Sequence, residues 1–375
     1  MAEEVWMLQT KKADFKQIGA RFRIDPVTAR IIRNRGIEGE AAIDRYLNGT
    51  LDDLYDPMLL KDMERAVPIL CEAVDTGKKI RIVGDYDIDG VCSTYILLQA
   101  FERLGSDVDF EIPDRIKDGY GINESIIEQA HADGVEVILT CDNGISAFHQ
   151  VELAKKYGMT VVITDHHEVP LDGEKEKIPP ADAVIDPKQA DCPYPFPEIC
   201  GAVVAYKLVQ VLYARRGVPQ MEWLDLLEFA AIATVGDVMK LQDENRILVK
   251  YGLKKMAQTK NLGLRRLAEK NNLDLGAITA YHIGFVIGPC LNAGGRLKTA
   301  KEALALLRAQ SAEEAERLAE ELKELNDTRK DMTEQGTEAA KLQVESWYQK
   351  DKVLVVFLPE CHESLAGIIA GRLRE

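Results

Sequence analysis

No two of the seven cysteines, at positions 71, 92, 141, 192, 200, 290 and 361, stand in a CxxC pair, and their number is odd. That pattern excludes a zinc ribbon and argues against a disulfide frame, so reduced thiols in a cytoplasmic protein are the expectation. No apolar run approaches the ~20 residues of a membrane span, and the polar opening MAEEVW lacks the apolar centre of a signal peptide. Net positive charge is missing too. The formal balance is −15, which at first argues against nucleic acid as a partner. What is present is ordinary for a globular protein: 46% apolar and 29% charged residues over 375 positions. That length allows two or more domains with sizeable cores.

The distribution of charge says more than its sum. Between Arg246 and Lys298 stand ten lysines and arginines against only Glu269 and Asp274, a local balance of +8. Such a run is either a solvated helical surface or a face that attracts phosphate.

Residues 1 to about 55 read as a short helical preface, and Pro57 marks the entry to a main domain spanning 56–310. Apolar runs of four to six residues then alternate with helical patterns. Strands are expected at 79–84, 108–112, 135–140, 160–164 and 183–185, with helices near 91–104, 124–132 and 147–157. This alternation predicts an α/β fold, a doubly wound, mainly parallel sheet. Residues 200–255 read as mostly helical. The stretch 311–350, dense in acids and bases and free of proline, predicts one long exposed connecting helix, broken near Gly336. Lys352–Leu358 reads as a strand opening a second, truncated α/β domain over 351–375, with Leu365–Ile369 wanting a partner surface.

In an open α/β sheet, ligands bind beyond the carboxyl ends of the strands. Three polar clusters fall there: GDYDIDG with Asp85, Asp87 and Asp89; Cys141-Asp142-Asn143-Gly144; and Asp165-His166-His167. Any one of them could be a helix cap or a turn. Three at successive strand ends converge on one crevice. Carboxylates with a few imidazoles and no thiolate suit Mn²⁺ or Mg²⁺ better than structural zinc. A fourth cluster, Thr234-Val235-Gly236-Asp237-Val238, adds an aspartate at the end of an apolar helix. Five or six ligands exceed the needs of one ion, so two ions are expected, a count suited to attack on phosphorus.

GDYDIDG, CDNGIS, DHH and TVGDV, in this order and spacing, resemble motifs I to IV of the DHH phosphoesterase superfamily. NRGIEGEAAIDRYL (34–47), LYDPMLLKDMERAV (54–67) and GPCLNAGGRL (288–297) narrow the resemblance to the RecJ single-strand-specific exonucleases, over essentially the whole chain. The resemblance implies that Asp87, Asp89, Asp142, His166 and Asp237 are metal ligands, with Asp142 bridging two ions and Asp85 a ligand or a support to one. It implies that Asp165 orients an imidazole and that His167 contacts the scissile phosphate or assists the leaving oxygen. The implied activity is 5′-to-3′ degradation of single-stranded DNA with Mn²⁺ or Mg²⁺, in DNA repair and recombination. Single-strand-binding protein and a helicase are the candidate protein partners, and no membrane is expected.

Asn292, two glycines and Arg296 suggest a loop gripping the DNA backbone, with Asn143 a further contact, although a helix-capping turn is the plainer alternative. The family pattern usually has arginine at the position of Cys290 and alanine at that of Gly294. His131, His149 and His282 have no acidic partner at motif spacing and read as structural or surface residues. His362, in CHESLAGIIAGRL, resembles the opening of the DHH-associated domain and is a candidate phosphate contact. Two other readings stay open. One is another DHH hydrolase, such as an oligoribonuclease, a cyclic-dinucleotide phosphodiesterase or a family II pyrophosphatase. The other is a non-catalytic scaffold of the Cdc45 kind.

Overall fold

A computed structural model describes residues 5–7, 11–348 and 351–374. Three short helices come first: α1 (Phe15–Phe22), α2 (Pro26–Asn34) and α3 (Glu40–Asn48). Asp25 caps α2 by accepting from the amides of Val27 and Thr28, and Pro26 supplies a preset φ at the first helical position. The helix α4 (Met63–Thr76) ends on Gly77 in the left-handed region, at φ 68°.

The central layer alternates β1 (Ile80–Val83), α5 (Ile88–Arg103), β2 (Val108–Glu111), α6 (Glu124–Ala132), β3 (Val137–Cys141), α7 (Phe148–Lys156) and β4 (Thr160–Thr164). A two-residue hairpin, β5 (Leu171–Asp172) and β6 (Lys175–Glu176), precedes β7 (Ala183–Ile185). The main sheet has the order β2-β1-β3-β4-β7 and is parallel throughout. Fully buried strands such as IRIV and VILTC fit a sheet covered on both faces. Ile80, Ile82, Leu139 and Val162 face one core with α4, α5 and the later helix α8 (Gly201–Arg215), and Val83, Ile138, Val161 and Ile163 face another with α6 and α7. Arg81, nearly buried, is tied to Asp109 at 2.7 Å and to Asp133 at 2.8 Å. From β1 the chain steps one way to β2 and then crosses back past β1 to β3. The crevice between the carboxyl ends of β1 and β3 is therefore the switch point where such sheets hold ligands.

After α8 come α9 (Gln220–Leu224), α10 (Leu227–Gly236), α11 (Asp243–Met256) and α12 (Leu262–Lys270). After α13 (Ala280–His282) and a wide π-type turn at Ile283–Ile287 come α14 (Gly288–Leu297), α15 (Lys301–Arg308), α16 (Ala312–Gln343) and α17 (Ala366–Arg374). A buried Lys207–Glu244 pair at 3.1 Å, with Lys207 also donating to Tyr55 O at 3.0 Å, pins the segment before α4 to the α8–α11 layer.

Three expectations are corrected. GPCLNAGGRL is helix α14, not a loop. Its glycines serve close packing, since a Cβ on Gly295 would stand 2.2 Å from Tyr86 O and one on Gly294 2.8 Å from Thr299 O. Helix α16 runs unbroken through Gly336, where a Cβ would meet Ile369 Cδ1 at 2.5 Å, so this glycine admits α17 rather than ending the helix. The same helix is not simply exposed: Ala315, Leu318, Ala319 and Leu322 are buried. Residues 352–358 form no strand, because none of their main-chain groups finds a neighbouring strand among the described residues.

Glu228, 3% exposed, accepts from Thr259 Oγ1 at 2.6 Å while its Oε2 has no partner. Burial pushes its carboxyl up to about 7. The folded chain thus binds this proton more tightly than the unfolded chain, so stability falls as pH rises from the ordinary carboxylate range through about 7. Glu228→Gln should remove that dependence and stabilise the protein above pH 7 by roughly 2–3 kcal/mol, as read from urea unfolding at several pH values. Parallel wild-type and variant curves would refute the assignment.

Candidate active site

The carboxylates gather where strands meet helix starts. Asp85 follows β1 and is fully buried; its Oδ1 accepts from Gly121 N at 3.2 Å, and its Oδ2 has no partner. Asp87 caps α5, accepting from the amides of Asp89 and Gly90 at 2.9 and 3.1 Å. Asp89 receives the amides of Gly201 and Ala202 at 2.7 and 2.8 Å, so the positive end of α8 points at its charge. Asp142 follows directly on β3 with φ 62°, a strained backbone for a non-glycine residue. Its main-chain carbonyl accepts from Tyr120 OH at 2.8 Å, and its buried Oδ1 has no hydrogen-bond partner.

His166 follows β4. Its Nε2 stands 3.0 Å from Asp142 Oδ1, 3.5 Å from Asp89 Oδ2 and 3.9 Å from Asp237 Oδ2. Asp237 lies at the C-terminal end of α10. Asp165 is an anchor: Oδ2 accepts from Ile145 N at 2.8 Å, and Oδ1 accepts from His166 N at 2.7 Å and faces His167 Nδ1 at 2.7 Å. Tyr120 OH lies 3.0 Å from His167 Nε2. Three overlapping sets emerge, Asp85/Asp87/Asp142, Asp89/His166/Asp237 and Asp142/His166/His167, with the candidate donor atoms of each set within 4.8 Å of one another. Asp142 belongs to two of them.

The electrostatics match a site built for cations. Burial, then the Asp87 charge, pushes Asp85 up to about 7. Burial, then Asp89, raises Asp87 and takes Asp237 to about 7. Asp142 is driven well above the carboxylate range by burial and by Asp89 and Asp87. Burial lowers His166, favouring the neutral imidazole that can ligate. At His167 burial opposes the charge, but the Asp165 hydrogen bond and nearby carboxylates outweigh it and the group rises to about 9.

The DHH family, N-terminal domain, matches residues 79–234. The single-stranded-DNA-specific exonuclease RecJ of Bacillus subtilis is 36% identical over 369 residues, covering 98% of this chain and 46% of that protein. A crystal structure of exonuclease RecJ bound to manganese superimposes with a TM-score of 0.75 at 34% identity, covering 84% of this chain and 77% of the other. The chain belongs to the RecJ family. RecJ of Thermus thermophilus in complex with Mn²⁺ gives a TM-score of 0.79 at 31% identity, over 96% of this chain and 50% of that one. The chain spans about half the length of several curated RecJ relatives and some three fifths of others.

Other residues fare differently in this RecJ-family chain. Asn143 is 1% exposed and wholly engaged: Nδ2 donates to Val83 O and Cys141 O, and Oδ1 accepts from Ile122 N. It clamps β1 to β3, so its side-chain amide, expected to contact DNA, is engaged within the protein. Asn292 and Arg296 line a cleft of about 270 Å³ beside Asp85 and Asp87, together with Tyr86, Arg115 and Tyr120. Arg296 is partly committed, donating to Ser364 O at 2.8 Å, while His362 Nδ1 stands 2.8 Å from Ser364 Oγ. Half of the basic run is paired with acids once the chain is folded. Lys255 and Lys260 meet Asp225, Lys270 meets Glu316 and Glu320, and Lys298 meets Glu302. His131 stacks on Tyr157 at 4.2 Å, His149 is exposed, and His282 caps Thr279.

Tyr120, Arg115 and Asp186 were not foreseen from the sequence. Asp186, buried after β7, is pushed up to about 7 by burial and by Asp165. It also ends a strand, which was the available signal. Tyr120 and Arg115 lie in the β2–α6 connection, where only the fold reveals proximity.

Asp165→Asn would leave one oxygen for the imidazole and turn an amide donor toward another donor, Ile145 N. Thermal or urea unfolding should register a loss of about 2–3 kcal/mol. An unchanged midpoint would show that this anchor is dispensable.

Proposed function

We propose that this chain is a metal-dependent phosphodiesterase that removes nucleotides from the 5′ end of single-stranded DNA. The observation that carries the reading is the set of buried carboxylate and imidazole donors at the switch point, several with an atom that has no hydrogen-bond partner. The relatives support it: the curated ones are named single-stranded-DNA-specific exonucleases, and solved ones hold Mn²⁺ or Mg²⁺.

The residues fit divalent cations. Asp85 Oδ2 and Asp142 Oδ1 are buried acceptors with no hydrogen-bond partner, and His166 Nδ1 is likewise unpartnered. Buried carboxylates whose neighbours raise their proton affinity are relieved by a hard cation, and oxygen-rich donor sets suit Mn²⁺ and Mg²⁺. In this reading Asp87, Asp89, Asp142, His166 and Asp237 would hold two ions, with Asp142 common to two of the donor sets and Asp85 a further ligand or a support to one. When bound, two such ions supply Lewis-acid stabilisation of charge at phosphorus and lower the pKa of water. The protein's own groups do the rest. Asp165 fixes the His167 ring through Nδ1, leaving Nε2, beside Tyr120 OH, to meet the phosphate or give a proton to the leaving oxygen. Asn292 and Arg296 flank the cleft where the strand enters. Such an enzyme would serve DNA repair and recombination in the cytoplasm, beside a single-strand-binding protein and a helicase.

Oligonucleotides labelled at the 5′ or 3′ end test polarity directly: 5′ label should be released first as mononucleotide, with Mn²⁺ and not after chelation. Early loss of 3′ label would overturn the assigned direction. Asp142→Ala should cost on the order of 10³-fold in turnover, because one residue serves both ions. The same variant should lose the stabilisation by Mn²⁺, about 2.7 kcal/mol at one hundred times the dissociation constant in the unaltered chain. Wild-type turnover in Asp142→Ala would remove it from the centre.

A further inference from the structure

Half of the bases in the long run at 246–298 are paired with acids on folding, whereas in a shorter run fewer are. Between Lys11 and Gly36 stand eight lysines and arginines, at 11, 12, 16, 21, 23, 30, 33 and 35, against Asp14 and Asp25, a balance of +6 in a chain that sums to −15. Both acids are engaged as helix caps. Asp14 accepts from Gln17 N, and Asp25 accepts from the amides of Val27 and Thr28 and from the Thr28 hydroxyl. Their charge is thus turned into the N-termini of α1 and α2, away from the bases.

Among the described residues most of the bases meet no carboxylate. Arg33 pairs with Glu38 at 2.8 Å, and Arg21 approaches Glu40 at 3.6 Å. Among the described residues Lys12, Lys16, Arg23, Arg30 and Arg35 meet no carboxylate. The segment entering α1 crosses the C-terminal end of α2: Lys11 Nζ donates to Asn34 O at 3.1 Å and Arg33 Nε to Lys12 O at 3.3 Å. Lys11, Lys12 and Arg35 are thereby held together at a helix end whose carbonyls favour cations.

This patch is joined to the rim of the metal centre. Gln242 Nε2 donates to Arg35 O at 2.8 Å, and Gln242 lies at the end of the short connection that leaves Asp237. Arg45 to Asp243 at 3.0 Å and Arg246 Nε to Tyr46 O at 2.6 Å fasten the same helices to α11. The patch has no exposed aromatic ring for base stacking, since Phe15 and Phe22 are half-buried. Its chemistry is that of a backbone contact, indifferent to sequence.

We propose that the α1–α2 pair is a phosphate-binding surface for the nucleic-acid strand beyond the nucleotides in the cleft. The proposal rests on the exonuclease reading and adds to it a second, metal-independent grip. Long strands would touch both surfaces; a dinucleotide would reach only the metal centre.

The test is the full chain with Lys12→Gln, Lys16→Gln and Arg35→Gln together, three positions outside the metal site. Fluorescence anisotropy of a labelled single-stranded oligonucleotide is followed against salt in EDTA, and hydrolysis of a dinucleotide is followed with Mn²⁺. The triple variant should bind the oligonucleotide roughly 10- to 100-fold more weakly near 0.1 M salt, with the log–log salt slope shallower by about 2. Dinucleotide turnover should match the unaltered chain. Unchanged affinity and slope would overturn the proposal. So would loss of binding to a poly-glutamate peptide with oligonucleotide affinity intact, which would make the patch a protein-docking face. Failure of the unaltered chain to cleave the dinucleotide would count against the metal-centre reading alone, since the anisotropy comparison needs neither metal nor turnover.

Discussion

Like charges withdrawn from water at the carboxyl edge of one sheet are the constraint around which the molecule is organised. Asp85, Asp89 and Asp142 are nearly or fully buried, and Asp87 and Asp237 stand beside them. Left alone, such a cluster would protonate or pull the local structure apart. The fold answers with main-chain amides and the starts of α5 and α8. These supports leave particular oxygen atoms without a hydrogen-bond partner, which a cation would complete. Much of the peripheral packing follows from this arrangement. Gly90 and Gly201 lack side chains because a Cβ would stand 2.4 Å from Asp85 O and 2.7 Å from Asp142 Cβ respectively.

Two imidazoles adjacent in sequence have opposite characters. His166 sits among carboxylates, yet burial favours its neutral form; the carboxylate of Asp165 at 2.7 Å pushes His167 the other way, toward its protonated form. Consecutive residues just past a strand project in different directions, which lets one turn set two imidazoles in different surroundings. Tyr120 joins the two functions, with its hydroxyl on the carbonyl of Asp142 and against the ring of His167.

The strands and the residues at their ends were legible in the sequence, because parallel buried strands give short apolar runs and a switch-point site places its polar residues immediately after them. The expected runs at 160–164 and 183–185 coincide with β4 and β7, and the others shift by one or two residues at their ends. What was not legible depends on contacts distant in sequence. Glycines in GPCLNAGGRL signal a turn locally, but here they bring a helix against Tyr86 O. Lysines counted along 246–298 look like a free positive face until Asp225, Glu316 and Glu320 arrive from other helices. Asn143 looks like a polar contact until its amide is seen to stitch two strands. The smaller basic patch on α1 and α2 escaped notice because its charge matters only once its acids are seen to face the helix starts.

The amide supports have a consequence for how such a centre tolerates change over generations. Asp89 rests on the main chain of residues 201 and 202, and Asp85 on that of residue 121. Every amino acid except proline carries the same N–H group, so substitution at a supporting position does not remove the support. Vulnerability moves from chemical identity to volume: Gly201 and Gly90 are replaceable in hydrogen bonding but not in size. A lineage could therefore rewrite much of the surroundings of its acids while a handful of positions stay confined to hydrogen as a side chain.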